Sequence, residues 1–149
     1  METSKTAAQT PCHGTFAEKV AIELNRAERY RVFVSLTVLD LGSTGELAGD
    51  KVSEVMDEVA TCVKESVRAC DSVAVLHDHC LAVLQPETPR QGAEISANRL
   101  AEIIKGRLIK RFGEPADRMI PVEIASFPDT AGARTLAGFL EELVHKSRN

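Results

Sequence analysis

The chain has 149 residues, 44% hydrophobic and 27% charged, with acidic residues outnumbering basic ones by 22 to 18 for a net charge of −4. That length suits one domain with a real hydrophobic core, and the acidic balance argues against the basic face by which a protein grips nucleic acid. No apolar run reaches the roughly 18 residues of a membrane span, and the polar start METSKTAAQTPCHGT lacks the apolar stretch of an export signal.

Residues 1–14 are expected to form a flexible tail and residues 15–149 one domain. Without an export signal the expected compartment is the cytoplasm. There Cys12, Cys62, Cys70 and Cys80, which make no CxxC pair and no zinc-ribbon spacing, are expected as thiols. Cys62 falls in an apolar helical pattern and reads as a small core hydrophobe.

From Thr15 to Arg31, Phe16, Val20, Leu24 and Ala27 recur at helical spacing, and Thr15 with Glu18 forms a capping box. Val32 to Leu41, VFVSLTVLDL, is β-branched and apolar on both faces, as suits a central strand covered on both sides. Gly42 to Gly49 reads as a loop. Val52, Val55, Met56, Val59, Cys62, Val63 and Val67 mark a strongly amphipathic helix. Ser72 to Leu76 and Leu81 to Gln85 are short apolar runs on either side of His77-Asp78-His79-Cys80, and read as a hairpin. Pro89 to Lys110 is a second amphipathic helix burying Ala93, Ala97, Leu100, Ile104 and Leu108. Pro121 to Phe127 is a strand, and Thr135 to His145 a closing helix around Leu136, Leu140 and Leu143. This order predicts an α/β (α+β) sandwich with helices packed on a mixed sheet.

Two stretches carry candidate chemistry. The HDHC run sets two imidazoles, a carboxylate and a thiol side by side, which suits a soft-metal site through His77, His79 and Cys80, a Cys–His nucleophile at Cys80, or a turn without chemical duty. On an extended strand His77 and His79 would share one face and Asp78 and Cys80 the other. The run Arg68-Ala69-Cys70-Asp71 places a guanidinium and a carboxylate one turn apart. By itself that is a surface ion pair at a helix C-terminus, where Arg68 also complements the macrodipole. His13 and His145 fall in tail and surface positions with no partner visible.

Several phrases resemble the GGDEF domain of diguanylate cyclases. They are LNRAERYRVFVSLTVLDL with its strand-end Asp40, GDKVSEVMDEVATCVKESVRACDSVAVL, LAVLQPET, GAEISANRLAEII, IASFPDTA and KSRN, which together span almost all of Thr15 to Asn149. In that register the family's signature turn falls on His77, Asp78, His79, Cys80 and Leu81. Both glycines and both acidic residues of the signature are then replaced. The resemblance implies that His77 and Asp78 fill the space glycines leave for GTP phosphates. It also implies that His79 stands in for a magnesium carboxylate, leaving Asp40 as a lone residual ligand. The family's segment after the strand-end aspartate, which carries its second aspartate and its guanine-holding Asn and Asp, is shortened here to Gly42-Ser43-Thr44-Gly45-Glu46-Leu47-Ala48. Loss of cyclase activity is the expectation, with no catalytic residue, metal or cofactor.

The resemblance also implies a surviving site. Many cyclases bind their product, cyclic di-GMP, at an inhibitory Arg-x-x-Asp placed as Arg68 and Asp71 are here, five residues before the signature, with a further arginine on the next helix that matches Arg99. The leading expectation is therefore a cyclic di-GMP receptor using Arg68, Asp71 and Arg99, coupled to a protein signalling partner, with no nucleic-acid or membrane partner. The alternative is a nucleotide-independent docking or homodimerisation module. A metal-dependent enzyme built on HDHC ranks below both.

Overall fold

In the computed structural model, which describes residues 13–128 and 135–148, the valine-rich run after the first helix becomes the middle of a sheet. Helix α1 (His13–Tyr30) buries Phe16, Ala17, Val20, Leu24 and Ala27 along one stripe. Arg31, in the left-handed region at φ 58°, turns the chain into strand β1 (Val34–Asp40). Helix α2 (Gly42–Ala48) and a 3-10 turn at Gly49–Lys51 lead into α3 (Val52–Lys64). Strand β2 (Ser72–Leu76), the 3-10 turn His77–His79 and strand β3 (Cys80–Pro86) form the hairpin. Helix α4 (Arg90–Phe112), strand β4 (Val122–Phe127) and helix α5 (Leu136–Arg148) complete the described chain.

The strand order is β2-β3-β1-β4, and every neighbouring pair is antiparallel. This corrects the expected mixed sheet. The two crossovers, β1 to β2 and β3 to β4, do join parallel strands, but each leaves room for one strand running the other way. The crossovers interleave, so parallel strands never touch.

Alternation along β1 and β3 feeds two separate cores. Val34, Leu36, Ala82 and Leu84 pack with α1 and α5, while Leu39, Leu81 and Val83 pack with α3 and α4. The five residues expected on the buried stripe of α4, Ala93, Ala97, Leu100, Ile104 and Leu108, are all buried. On α5 the buried set is Leu136, Phe139 and Leu143, so Phe139 joins the stripe and Leu140 stays half-buried. Among the described residues no helix is long and apolar enough to cross a membrane.

Four local expectations are corrected. Helix α1 begins at His13, so Thr15 lies inside it and not at its N-cap; residues 1–12 of the expected tail lie outside the described residues. The expected loop 42–49 is mostly helix, because Thr44 is buried and Leu47 and Ala48 pack on the α3/α4 core. Helix α3 stops at Lys64, so Arg68 lies beyond its end and does not answer its macrodipole. Cys62 is half-buried at the rim of that core, where Arg107 Nη2 approaches its Sγ at 3.7 Å. Cys62, Cys70 and Cys80 form no disulfide, and Cys12 lies outside the described residues.

One buried position in the central strand is polar without reward. Thr37 is 1% exposed, between Val83 and Ile124 in register, and its Oγ1 has no partner among the described residues. Thr37→Val should raise stability by about 1 kcal/mol, since it removes an unsatisfied hydroxyl at nearly constant shape. Urea unfolding should show a higher midpoint with an unchanged slope; a lower midpoint would contradict the assignment.

Candidate functional site

Arg68 and Asp71 close a tight turn just before β2. The Asp71 N–H donates to the Arg68 carbonyl at 3.0 Å, and the Arg68 N–H donates to Asp71 Oδ2 at 2.9 Å. The guanidinium folds onto the same carboxylate, with Nη2 to Oδ1 at 2.8 Å and Nε to Oδ2 at 3.3 Å. The Asp71 side chain is 1% exposed and that of Arg68 51%, so the carboxylate is covered and the cation faces the surface. The hydrogen bond to Asp71 holds the Arg68 guanidinium above its ordinary pKa, with desolvation opposing it. The ion-pair reading of this motif is thus correct as geometry, and the pair is charge-assisted and forked.

The turn is one wall of an open cleft of about 400 Å³. Helix α4 supplies Ser96 and Arg99, β3 supplies Gln85, and the segment after α3 supplies Ser66. Arg99 donates from Nη1 to the Ser66 carbonyl at 3.2 Å, which leans it across toward the turn. Gln85 is 5% exposed and donates from Nε2 to Ser96 Oγ at 3.2 Å. The structure therefore brings Arg68, Asp71 and Arg99 to one cleft with two guanidinium groups at its surface. Gln85, Ser66 and Ser96 were not singled out from the sequence. Gln85 alone carried a signal, being a polar residue at a core-facing position of an otherwise apolar strand.

The HDHC stretch lies at the other end of β2. His77, Asp78 and His79 form a 3-10 turn, so the strand alternation expected for them does not apply. His79 takes the left-handed conformation at φ 59°, and its carbonyl accepts the Leu41 N–H at 2.9 Å. Its ring lies on α2: a Cβ built on Gly45 would sit 3.0 Å from His79 Cε1. The imidazole thus fills the space between the hairpin and α2. Cys80 is in β3 opposite Asp40, and Leu81 is fully buried in the α3/α4 core. Asp78's side chain lies outside the described residues.

Asp40 is exposed at the end of β1, where its Oδ1 accepts the Gly42 N–H at 2.9 Å. It borders an apolar-floored cavity of about 230 Å³, whose described charged lining groups are Asp40, Glu123 and Glu142, beside His77 and Cys80. Among the described residues, no group of three or more His, Cys, Asp and Glu is placed to hold a metal ion.

The architecture has solved counterparts. It is similar to the GGDEF domain of PA1120 (YfiN or TpbB) from Pseudomonas aeruginosa, with a TM-score of 0.62 and 20% identity over 93% of this chain and 90% of that one. This chain has the GGDEF-domain fold. Diguanylate cyclase SiaD of Pseudomonas aeruginosa, solved with its activator SiaC, is similar with a TM-score of 0.65 and 17% identity over 93% of this chain and 55% of that one. The active GGEEF domain of a diguanylate cyclase from Vibrio cholerae is similar with a TM-score of 0.51 and 19% identity, over 72% of this chain and 70% of that one. No known protein-family profile and no curated protein sequence matches the chain.

The fit of His79 to Gly45 makes a direct test of how this GGDEF fold closes its hairpin end. Gly45→Ala should carry a packing cost against the imidazole that offsets the roughly 1 kcal/mol alanine gains over glycine inside a helix. In the Gly45→Ala/His79→Ala double variant most of that cost should disappear, a coupling that urea unfolding of the four proteins measures. Additive losses would mean that the ring does not occupy this space.

Proposed function

We propose that this GGDEF-fold domain does not turn over GTP and acts as a receptor for cyclic di-GMP at the cleft of Arg68, Asp71 and Arg99. The observation that carries the proposal is the convergence of two arginines from separate elements on one polar cleft, with a carboxylate holding the first. A guanidinium can donate to guanine O6 and N7, and a second can meet a phosphodiester or stack on a base. Asp71, covered by Arg68, serves mainly to hold that guanidinium, and accepts from guanine only where Arg68 yields it an oxygen.

Two features of the opposite end support the absence of turnover. The His79 ring rests against α2 at the position where the resemblance puts a magnesium carboxylate, so that position offers no hard oxygen to a metal beside Asp40. The turn that the resemblance aligns with the signature has His77 and Asp78 in place of two glycines, so residues with side chains replace the open backbone needed beside a phosphate. Two of the solved counterparts are diguanylate cyclases, so this loss is a property assigned to these particular residues and not to the fold.

A nucleotide-independent docking role is the second reading. It is favoured by Ile22 and Tyr30, each 63% exposed on the outer face of α1. Complex formation with an activator, as in SiaD, gives the fold a precedent for a protein partner.

Titration calorimetry with cyclic di-GMP separates the two. Arg68→Lys keeps the charge beside Asp71 but loses the fork, and should weaken binding about ten- to a hundred-fold. Arg68→Ala is the poorer probe, because it leaves a covered carboxylate without its cation. Arg99→Ala should be milder and more salt-sensitive. Asp40→Ala should leave affinity unchanged, and GTP with magnesium or manganese should yield no cyclic di-GMP. No heat at high micromolar ligand would leave the docking role, and product abolished by Asp40→Ala would restore the enzyme.

A further inference from the structure

Arg68 is half exposed and forked onto Asp71, and its guanidinium has a second anchor. Nη2 donates to Thr88 Oγ1 at 2.7 Å and to the Pro86 carbonyl at 2.9 Å, besides Asp71. Thr88 Oγ1 in turn donates to the Pro86 carbonyl at 3.0 Å. Its one proton is thereby committed, and it meets the guanidinium purely as an acceptor. None of these acceptors takes the hydrogens of Nη1, so that edge of Arg68 stays open to a ligand.

Thr88 is itself seated from two directions. A Cβ built on Gly92 would lie 3.2 Å from Thr88 Cγ2, so the methyl rests on bare backbone in the first turn of α4. The Thr88 carbonyl accepts from Ser35 Oγ at 2.7 Å, and Ser35 Oγ pairs with Ser126 Oγ at 2.7 Å. Ser35 is 0%, Ser126 3% and Thr88 9% exposed, so this chain from β4 through β1 to the β3–α4 turn is buried. A buried polar chain in which each of these bonds is made is rigid, because breaking any link leaves a dry polar atom.

We propose that Thr88 is the positioning residue of the cleft. Gly92 and the Ser35–Ser126 pair fix Thr88, and its hydroxyl fixes the Arg68 guanidinium before any ligand arrives. The ligand side of this inference rests on the cyclic di-GMP reading. Its advantage is that the ordering of a long, flexible side chain is completed in the free protein and is not charged against binding.

The test uses the full chain and two readouts. In ligand-free protein, the Arg68 Nε–H signal (assigned by its loss in Arg68→Lys) reports the guanidinium directly by ¹H–¹⁵N NMR. Thr88→Val keeps the branched shape and removes the acceptor. It should shift that signal, speed its exchange with water and weaken cyclic di-GMP binding about five- to twenty-fold. Thr88→Ser, which restores the hydroxyl without the methyl's seat on Gly92, should recover most of the signal and of the affinity, whereas a loss of packing would be repaired only by the methyl. An Arg68 signal unmoved by Thr88→Val, or a Thr88→Ser variant as impaired as Thr88→Val, overturns the proposal. If wild-type protein binds no cyclic di-GMP while the Arg68 signal still responds to Thr88→Val and recovers in Thr88→Ser, the receptor reading falls and the seating of Arg68 by Thr88 stands.

Discussion

Strands β1 and β3 have to bury both of their faces, and the rest of the molecule follows from that. Each is flanked by strands on both sides and covered by α1 and α5 above and α3 and α4 below. A side chain in the middle of either strand therefore has no route to a ligand. Chemistry is confined to the strand ends, where loops expose backbone and polar side chains. The five residues of β2 join the two ends, about 17 Å apart at strand rise, with the Arg68–Asp71 turn at one and the HDHC turn at the other. That separation lets one end be filled by His79 while the other keeps an open cleft.

The Arg68–Asp71 pair is a structural element and, in the proposed function, also a binding element. A fully exposed ion pair contributes at most about 1 kcal/mol. This one differs because its carboxylate is covered and also accepts the Arg68 backbone N–H, so the turn, the pair and the entry into β2 form together. The same covering limits what Asp71 offers a ligand. In the proposed receptor, recognition falls to the outer edge of Arg68 and to Arg99, and the cleft is best described as cationic with a polar floor. The anchoring carboxylate gives direction to the first cation, while Ser66 gives direction to the second.

Much of this was legible from residue order, and the exceptions have physical causes. The helical stripes of α1 and α4 and the two-faced apolar run of β1 read correctly because burial imposes periodicity. Strand pairing did not, since interleaving crossovers leave no mark on periodicity, and a mixed sheet and a wholly antiparallel one share the same order of elements. Helix α2 was illegible because Gly42 and Gly45 weaken any helical pattern, and its stability comes from Thr44, Leu47 and Ala48 meeting the core. The residues Arg68, Asp71 and Arg99 came from resemblance, and the cleft that unites them came from the fold. Thr88, Gln85 and Ser96 had no signal strong enough to be chosen, because a polar residue near a strand end is ordinary until its partners are in place.

The central claim is that ligand recognition survives at the Arg68 end of the sheet and is lost at the His79 end. Backbone ¹H–¹⁵N shift mapping with cyclic di-GMP tests it most directly. The account predicts ligand-dependent shifts at 66–71, 85–88 and 92–99, with residues 40–45 and 77–80 unmoved. Shifts concentrated at 40–45 and 77–80 would place recognition at the hairpin end and contradict it.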